Sequence, residues 1–405
     1  MINHENNPIP TLLVGVGGYG GNYVDFFLGS EGKGFLDSQQ NKDFTLVGAV
    51  DPYAQSAKSY PRLKNTIPIY NTIKDFFAEH KAQLVIISTP VHLHFEHCMA
   101  AFENGAHVLC EKPLVPTLKD LDALEAMFKG GNEQKLLAVG FQLCYSKIML
   151  ALKERILAGE FGRPKRLKTY ISWPRAWEYY NRGVKWAGKI KTHDGHTVYD
   201  SVASNATAHF IQNMLFLLGP SMEECAPLTN VQAECYRANK IESFDTIAFK
   251  GRAGDADINF YASHATNYEI HPTMDYKFEK ARVTINLASQ GFECIVHHQD
   301  GTIEKQGPCW GGGRENTLLS MAKRIRGQEA HLCTTSTVRP ITALINEVFE
   351  KVPFNTFPDH LITHDQQGQR TYVKNLHMDL LDCFNENTLP SEAMLPWAMP
   401  ATATS

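Results

Sequence analysis

The chain has no paired-cysteine spacing. Its nine cysteines are scattered, odd in number and never arranged C-x-x-C. That argues against a disulfide framework and for reduced thiols. It has no excess of either charge. A net charge of −4 supplies no field for nucleic acid or an anionic membrane. The one basic cluster, Gly162–Lys168 ("GRPKRLK"), is short and reads as a solvated strand edge. No apolar run approaches the roughly 20 residues that span a bilayer. The first residues, "MINHENNPIPTLLVGVGG", lack a basic n-region, a twin arginine and a small-residue cleavage site. The expectation is a cytoplasmic protein with no nucleic-acid or membrane partner. Repeats and low-complexity segments are also missing. What remains, in 405 residues with 43% hydrophobic and 20% charged, is an ordinary globular composition long enough for two domains.

The first third alternates short unbroken apolar runs with helical patterns. The runs are Thr11–Val16, Leu46–Val50, Leu84–Ser88, His107–Cys110 and Leu136–Phe141; the patterns include "NTIKDFFAEH", "HFEHCMAAFENG" and "TLKDLDALEAMFKG". Unbroken apolar strands alternating with helices predict a parallel sheet covered on both faces. The pattern changes near Ser146. "KIMLALKERILAGEFG" reads as one amphipathic helix. After it come alternating segments such as "KRLKTYISW", "DINFYA" and "ARVTINL", which predict an antiparallel sheet with one solvated face. The expected division is 1–145, an α/β domain, and 146–405, an α+β domain. The tail "LPSEAMLPWAMPATATS" is expected to pack as an arm or to fray.

"GVGGYG" places Gly15, Gly17 and Gly20 in G-x-G-x-x-G spacing, with Gly18 and Tyr19 inside the turn. It follows the first strand and opens a helix, the context in which this spacing is informative. The first glycine allows the tight turn, the second lets amides approach a pyrophosphate, and the third lets helix and strand pack closely. Asp51, ending the second strand in "GAVDP", is placed to accept from a ribose 2′-hydroxyl and to repel a 2′-phosphate. That favours NAD over NADP. The extra length between the glycines and Asp51 is assigned to an insertion at Leu28–Phe44. Ser88, Thr89 and Pro90 of "STPVHLH" lie where the carboxyl edge of such a sheet meets the dinucleotide, and His94 is grouped with them. His92, His94 and His97 lack a carboxylate or thiol at a recognised spacing, so no metal site is expected.

With "NGAHVLCEKPL" after the fourth strand, these motifs in order resemble the glucose–fructose oxidoreductase and inositol dehydrogenase family (Gfo/Idh/MocA). The resemblance is close over the first domain and loose over the second. It implies an N-terminal Rossmann domain with a parallel sheet. After it comes an α+β domain whose largely antiparallel open sheet commonly serves oligomer contacts, hence a homo-oligomer, dimer or tetramer. It also implies a nicotinamide cofactor and a sugar, polyol or related hydroxy substrate. Glu111 and Lys112 of E-K-P would lie at the cofactor, with Lys112 on the reacting hydroxyl. His209, ten residues before Gly219, matches the family's proton-transfer histidine. Many members carry aspartate four residues before it; here Asn205 stands there.

The chemistry fits these residue types. Oxidising an alcohol removes a hydride from carbon and a proton from oxygen. A histidine can take that proton near neutral pH, and a lysine cation stabilises the developing alkoxide. Asn205 can orient His209 or bind a hydroxyl, but adds no negative charge. Asn205, His209 and Asn213 are four apart and would share one helix face. A capped helix with a satisfied core histidine would show the same spacing, and Asn205 would then be a helix cap. Asp194 and Asp200 lie nearby as carboxylates that could serve instead. Tyr145, Tyr180, Arg182 and Trp186 are the substrate candidates, since aromatic faces suit the C–H faces of a pyranose. Core or subunit contacts would explain the same aromatics. The leading expectation is an NAD-dependent dehydrogenase of a carbohydrate or cyclitol. A redox-neutral enzyme with tightly bound NAD and a non-catalytic NAD-binding regulator are the alternatives.

Overall fold

The computed structural model describes residues 7–29, 42–128, 134–181, 186–288, 291–309 and 313–404. The chain divides into two compact units. The first comprises Met1–Val115, Lys119–Phe141 and Arg314–Thr335; the second comprises Pro116–Leu118, Gln142–Gly313 and Ser336–Ser405. The division expected after residue 145 falls between Phe141 and Gln142, and a segment near residue 320 returns to the first unit.

The first unit is a Rossmann fold. Its strands are β1 (Ile9–Val14), β2 (Phe44–Val50), β3 (Ile69–Tyr70), β4 (Leu84–Ile87), β5 (His107–Cys110) and β6 (Leu137–Val139). They form one sheet in the order β3-β2-β1-β4-β5-β6, and every pair is parallel. Leu12, Leu13, Leu84, Val85, Ile86, Ile87, Val108 and Leu109 are wholly or almost wholly buried. Such strands are apolar on both faces because helices cover both. The order reverses between β1 and β4, so a crevice opens at their carboxyl ends. Strand β3 was not expected; two residues leave no periodicity to read. The insertion expected at Leu28–Phe44 lies mostly outside the described residues. The returning segment is tied in by the Val139 amide, which donates to the Cys333 carbonyl at 2.8 Å.

The second unit holds a ten-stranded sheet. Its strands are β7 (Pro164–Ser172), β8 (Thr229–Arg237), β9 (Thr246–Ala253), β10 (Ala256–Ser263), β11 (Ile270–Phe278), β12 (Ala281–Ala288), β13 (Gly291–His298), β14 (Ile303–Pro308), β15 (Phe354–Thr356) and, after the hairpin β16 (Ile362–Asp365) and β17 (Arg370–Val373), β18 (Thr402–Ala403). The order is β14-β13-β12-β11-β7-β10-β9-β8-β15, with β18 also on β8. The β7–β10 and β8–β15 pairs are parallel and the rest antiparallel.

The expectation of one solvated face is right for only part of this sheet. Strands β11 and β13 alternate buried and half-buried residues, but β9 and β10 are buried almost throughout. The chain covers the second face there itself. Leu376, Leu380, Cys383 and Phe384 of the helix Leu376–Glu386, with Leu389 and Trp397 of the tail, pack on Tyr170, Tyr236 and Tyr261. The tail is therefore an arm. Thr402 and Ala403 pair with β8, and the Thr404 amide donates to the Val231 carbonyl at 2.7 Å. No helix among the described residues is long and apolar enough to cross a membrane.

Candidate functional site

The site in the first unit is built on the turn after β1. Gly15 has φ +86°, and a Cβ there would lie 2.6 Å from the Ser88 carbonyl oxygen. A Cβ on Gly20 would fall on the Gly15 carbonyl oxygen. Both positions therefore require glycine for close approach of backbone to backbone. Gly17 and Gly18 have open space beside them, and Tyr19 is exposed. The turn's outer side is accordingly free for a ligand, and it leads into the helix Gly21–Leu28. Asp51 helps to hold it: one oxygen accepts from the Val16 amide at 3.0 Å, the other from the Tyr53 amide at 2.9 Å. Each oxygen keeps a further lone pair for a ribose hydroxyl. Ser88, Thr89 and Pro90 are half-buried just beyond β4. This arrangement fits a dinucleotide: a glycine cradle with an open amide side, a helix N-terminus and a carboxylate at the end of β2.

Two residues grouped with the cofactor contacts turn inward instead. His94 is 1% exposed. Its Nδ1 lies 2.9 Å from the Pro113 carbonyl and its Nε2 lies 2.8 Å from the Thr89 carbonyl. The ring staples the loop after β4 to the loop after β5 and leaves no nitrogen for a ligand. Glu111 is 7% exposed, and Tyr23 donates to its carboxylate at 2.6 Å. Its second oxygen accepts from the Lys112 amide at 3.3 Å. Burial pushes the Glu111 carboxyl up, against the lowering effect of its hydrogen-bond donors. Glu111 thus supports the backbone at Lys112, which is itself half-buried. His97 lies 3.1 Å from the Thr89 hydroxyl, and burial pushes it down to about 4, so it is neutral near pH 7.

Sequence reasoning missed Arg314. It lies 295 positions from Tyr19 and donates to the Tyr19 hydroxyl at 3.0 Å. Its guanidinium sits 5.0 Å from the Tyr19 ring centroid, and its buried Nε has no hydrogen-bond partner. A cation is thereby set against the glycine turn. No local pattern could have revealed it, because the segment carrying it returns from the far end of the second unit's sheet.

The site in the second unit surrounds the start of the helix Ala208–Leu217. All of this helix is buried except His209. Phe210, Met214 and Leu217 face the interior. The expected three-residue polar face does not form. Asn213 is wholly buried, and its amide nitrogen donates to the Tyr276 hydroxyl at 3.2 Å. Asn205 precedes the helix, in a turn. It is not the cap either, because Thr207 occupies that position. The Asn205 amide nitrogen instead donates to Asp200 at 2.9 Å and to the Tyr179 hydroxyl at 3.1 Å. Both amide hydrogens are thereby used, one on Asp200 and one on Tyr179.

Asp200 is therefore the carboxylate of this cluster. It is 4% exposed and also accepts from the Gly188 amide at 2.6 Å. Asp194 belongs to a separate, exposed group with His193 and His196. Tyr180 is half-buried, with its hydroxyl buried and lacking a hydrogen-bond partner. Burial pushes that hydroxyl well above the ordinary tyrosine range. Trp186 is half-buried. Tyr145 is 1% exposed and offers no open face to a substrate; as the residue closing the turn Gln142–Tyr145 it is core. Arg182 lies outside the described residues.

Comparison with known proteins covers the first unit best. Residues 9–141 match the model of an oxidoreductase family with an NAD-binding Rossmann fold (GFO_IDH_MocA). Inositol 2-dehydrogenase of Salmonella paratyphi B is 32% identical over 117 residues, 29% of this chain and 31% of the relative. An NADP(+)-linked scyllo-inositol 2-dehydrogenase of Bacillus subtilis is 28% identical over 180 residues, 44% of this chain and 45% of the relative. The matches thus span less than half of these relatives' length. Among solved structures, the WlbA dehydrogenase of Bordetella pertussis, in complex with NADH and UDP-GlcNAcA, superposes with a TM-score of 0.65 at 19% identity. That likeness covers 85% of this chain and 96% of that one and concerns the fold.

Proposed function

We propose that this chain, whose residues 9–141 belong to the Gfo/Idh/MocA oxidoreductase family, is an NAD-dependent oxidoreductase acting on a CH–OH group of a carbohydrate, cyclitol or related polyol. The observation that carries the proposal is the helix Ala208–Leu217, which is buried everywhere except at His209. A helix with nine buried residues and one accessible imidazole is built to present that imidazole.

The turn Gly15–Gly20 would hold the pyrophosphate on its open amides, and Arg314 would add a positive charge beside it. Asp51 would take the adenine-side ribose and disfavour a 2′-phosphate, giving NAD preference over NADP. Bound NAD supplies the hydride acceptor. Lys112, whose backbone is braced by Glu111, would stabilise the alkoxide with its ammonium. His209 would take the hydroxyl proton. Asn205, fixed by Asp200, would orient the imidazole or bind a substrate hydroxyl. Tyr180 and Trp186 would line the sugar. A homo-oligomer belongs to the same reading; the uncovered face of β11–β14 supports it, and sedimentation analysis tests it. The proposed chemistry is tested by incubating the protein with NAD and a panel of sugars and inositols. Formation of reduced nicotinamide and a keto product, lost in His209→Asn, is expected. Failure to bind NAD would refute the proposal.

A further inference from the structure

One cation in the second unit has no assigned role. Arg175 is half-buried, and its side-chain Nε is buried without a hydrogen-bond partner. Its guanidinium packs 5.1 Å from the Tyr179 ring centroid and 5.9 Å from that of Trp173. Among the described residues it forms no ion pair. The nearby buried carboxylates are engaged elsewhere. Asp200 takes Gly188 and Asn205. Asp245 takes the amides of Ala238 and Asn239 and the Asn239 side chain. Only Nε of this guanidinium is out of water without an acceptor; an unpaired buried donor is costly, and the partly exposed remainder of the group keeps its charge available to an anion.

The backbone around Arg175 is held from both sides. Its amide donates to the His264 carbonyl at 3.1 Å, and the Trp173 amide donates to the Ser263 carbonyl at 2.9 Å. On the other side the Trp177 amide donates to the Gln369 carbonyl at 2.7 Å, and the Trp177 indole donates to the Thr371 hydroxyl at 2.9 Å. The guanidinium is therefore presented by a fixed scaffold, which is how binding sites limit the entropy lost on association.

The segment also lies along the proposed catalytic stretch. Trp173 meets Phe210 edge-on at 5.7 Å, and Tyr179 hydrogen-bonds Asn205. Arg175 falls between these two anchors, beside the turn that leads to His209. Further polar atoms there lack partners. Nδ1 of His264 lies 2.8 Å from the Trp173 carbonyl, so it carries the proton and donates. Burial first, and Arg175 second, push this histidine down to about 3, so it is neutral. Its Nε2 lone pair is then a buried acceptor with no donor, and the Tyr180 hydroxyl is likewise buried without a partner. Buried polar atoms without a partner are uncommon, and here two of them lie close to the same guanidinium.

We propose that the substrate of this site carries an anionic group, a carboxylate or a phosphate, that pairs with Arg175. The proposal rests on the redox reading of the site and narrows its substrate class to sugar acids or sugar phosphates. The test uses the NAD-loaded protein and four probes: D-glucose, D-gluconate, D-glucuronate and glucose 6-phosphate. Calorimetric affinities are measured for wild type, Arg175→Gln and Arg175→Lys, with NAD affinity as the control for folding. At least one anionic probe should bind wild type more tightly than glucose does. Arg175→Gln should weaken that probe by roughly ten- to hundredfold, the loss expected for a charge-assisted hydrogen bond. Arg175→Lys should keep part of the advantage, and glucose should be unaffected by either change. Whether carboxylate or phosphate gains more identifies the anion. Equal affinity for glucose and all three anions, or an anionic advantage that survives Arg175→Gln, overturns the proposal. Neither result touches the redox reading, which stands or falls on NAD reduction by any probe, glucose included.

Discussion

Replacing Asn205 by aspartate would set a second carboxylate beside Asp200, and the structure predicts that it would do harm. The Asn205 amide nitrogen lies 2.9 Å from an oxygen of Asp200, which is 4% exposed. An aspartate at 205 would put a second carboxylate at hydrogen-bond distance from the first in a site with little water. Two such groups cannot both stay ionised, so the pair would hold one proton and titrate above the ordinary carboxyl range. An unfolded aspartate titrates at about 3.9. Keeping one carboxyl protonated at pH 7 then costs up to about 4 kcal/mol, less whatever the side chain recovers by turning away. The sign follows from proton counting. The folded variant binds one more proton than the unfolded chain, so its stability deficit grows with pH, by about 1.4 kcal/mol per unit. Denaturant titrations of Asn205→Asp and wild type at pH 5, 6 and 7 measure it. The deficit should be largest at pH 7 and shrink by about 3 kcal/mol at pH 5. A variant as stable as wild type at pH 7, or a deficit that ignores pH, would refute the Asp200–Asn205 arrangement.

Lys112→Met and His209→Asn should each lower turnover by about 10²- to 10⁴-fold with NAD affinity intact, because general acid–base and electrostatic groups contribute on that scale; titrating NAD against each variant separates chemistry from binding. Asp51→Ser should narrow the preference for NAD over NADP, since it removes the charge that repels a 2′-phosphate, and parallel titration of both cofactors reads it. Arg314→Gln should weaken NAD and ADP-ribose alike and leave adenosine unchanged, because the guanidinium acts beside the pyrophosphate. His264 stays neutral down to about pH 3 when folded, whereas an ordinary imidazole titrates at 6.5. Below about 6.5 the unfolded chain therefore binds the extra proton, and this group makes stability fall with falling pH by about 1.4 kcal/mol per unit. Comparing denaturation of His264→Gln with wild type at pH 6.5 and 5 checks that its share of the slope disappears.

What the sequence revealed follows the range of the interactions involved. The turn Gly15–Gly20, Asp51 and the strands of the first sheet are fixed by contacts among residues close along the chain or by unbroken apolar runs, so local pattern exposes them. His209 was singled out by the resemblance, through its place before Gly219, and it is the one residue of its helix that is not buried. The network beneath it was not. Asn205 was expected on the helix, but the helix begins at Ala208. The Asn205 amide turns back to Asp200 and out to Tyr179, contacts that no helical period describes. Arg314 takes its place from Tyr19, a partner 295 positions away. The covering of β9 and β10 by the tail erased the alternation that a half-solvated sheet would show. His94 shows the converse error: it lies beside the cofactor loop, but both its ring nitrogens meet backbone carbonyls from segments that sequence spacing does not bring together.

The central claim is hydride transfer from a hydroxyl-bearing carbon to NAD at His209. Single-turnover stopped-flow absorbance of the reduced nicotinamide, with NAD-loaded protein mixed with gluconate, glucuronate, glucose 6-phosphate, glucose and myo-inositol in turn, tests it most directly. The account predicts that at least one compound produces the reduced-nicotinamide signal in wild type, whether it persists or is reoxidised, and that His209→Asn suppresses it while still binding NAD. A wild-type protein that binds NAD yet never shows the signal, or a His209→Asn variant that shows it at the wild-type rate, would contradict the account.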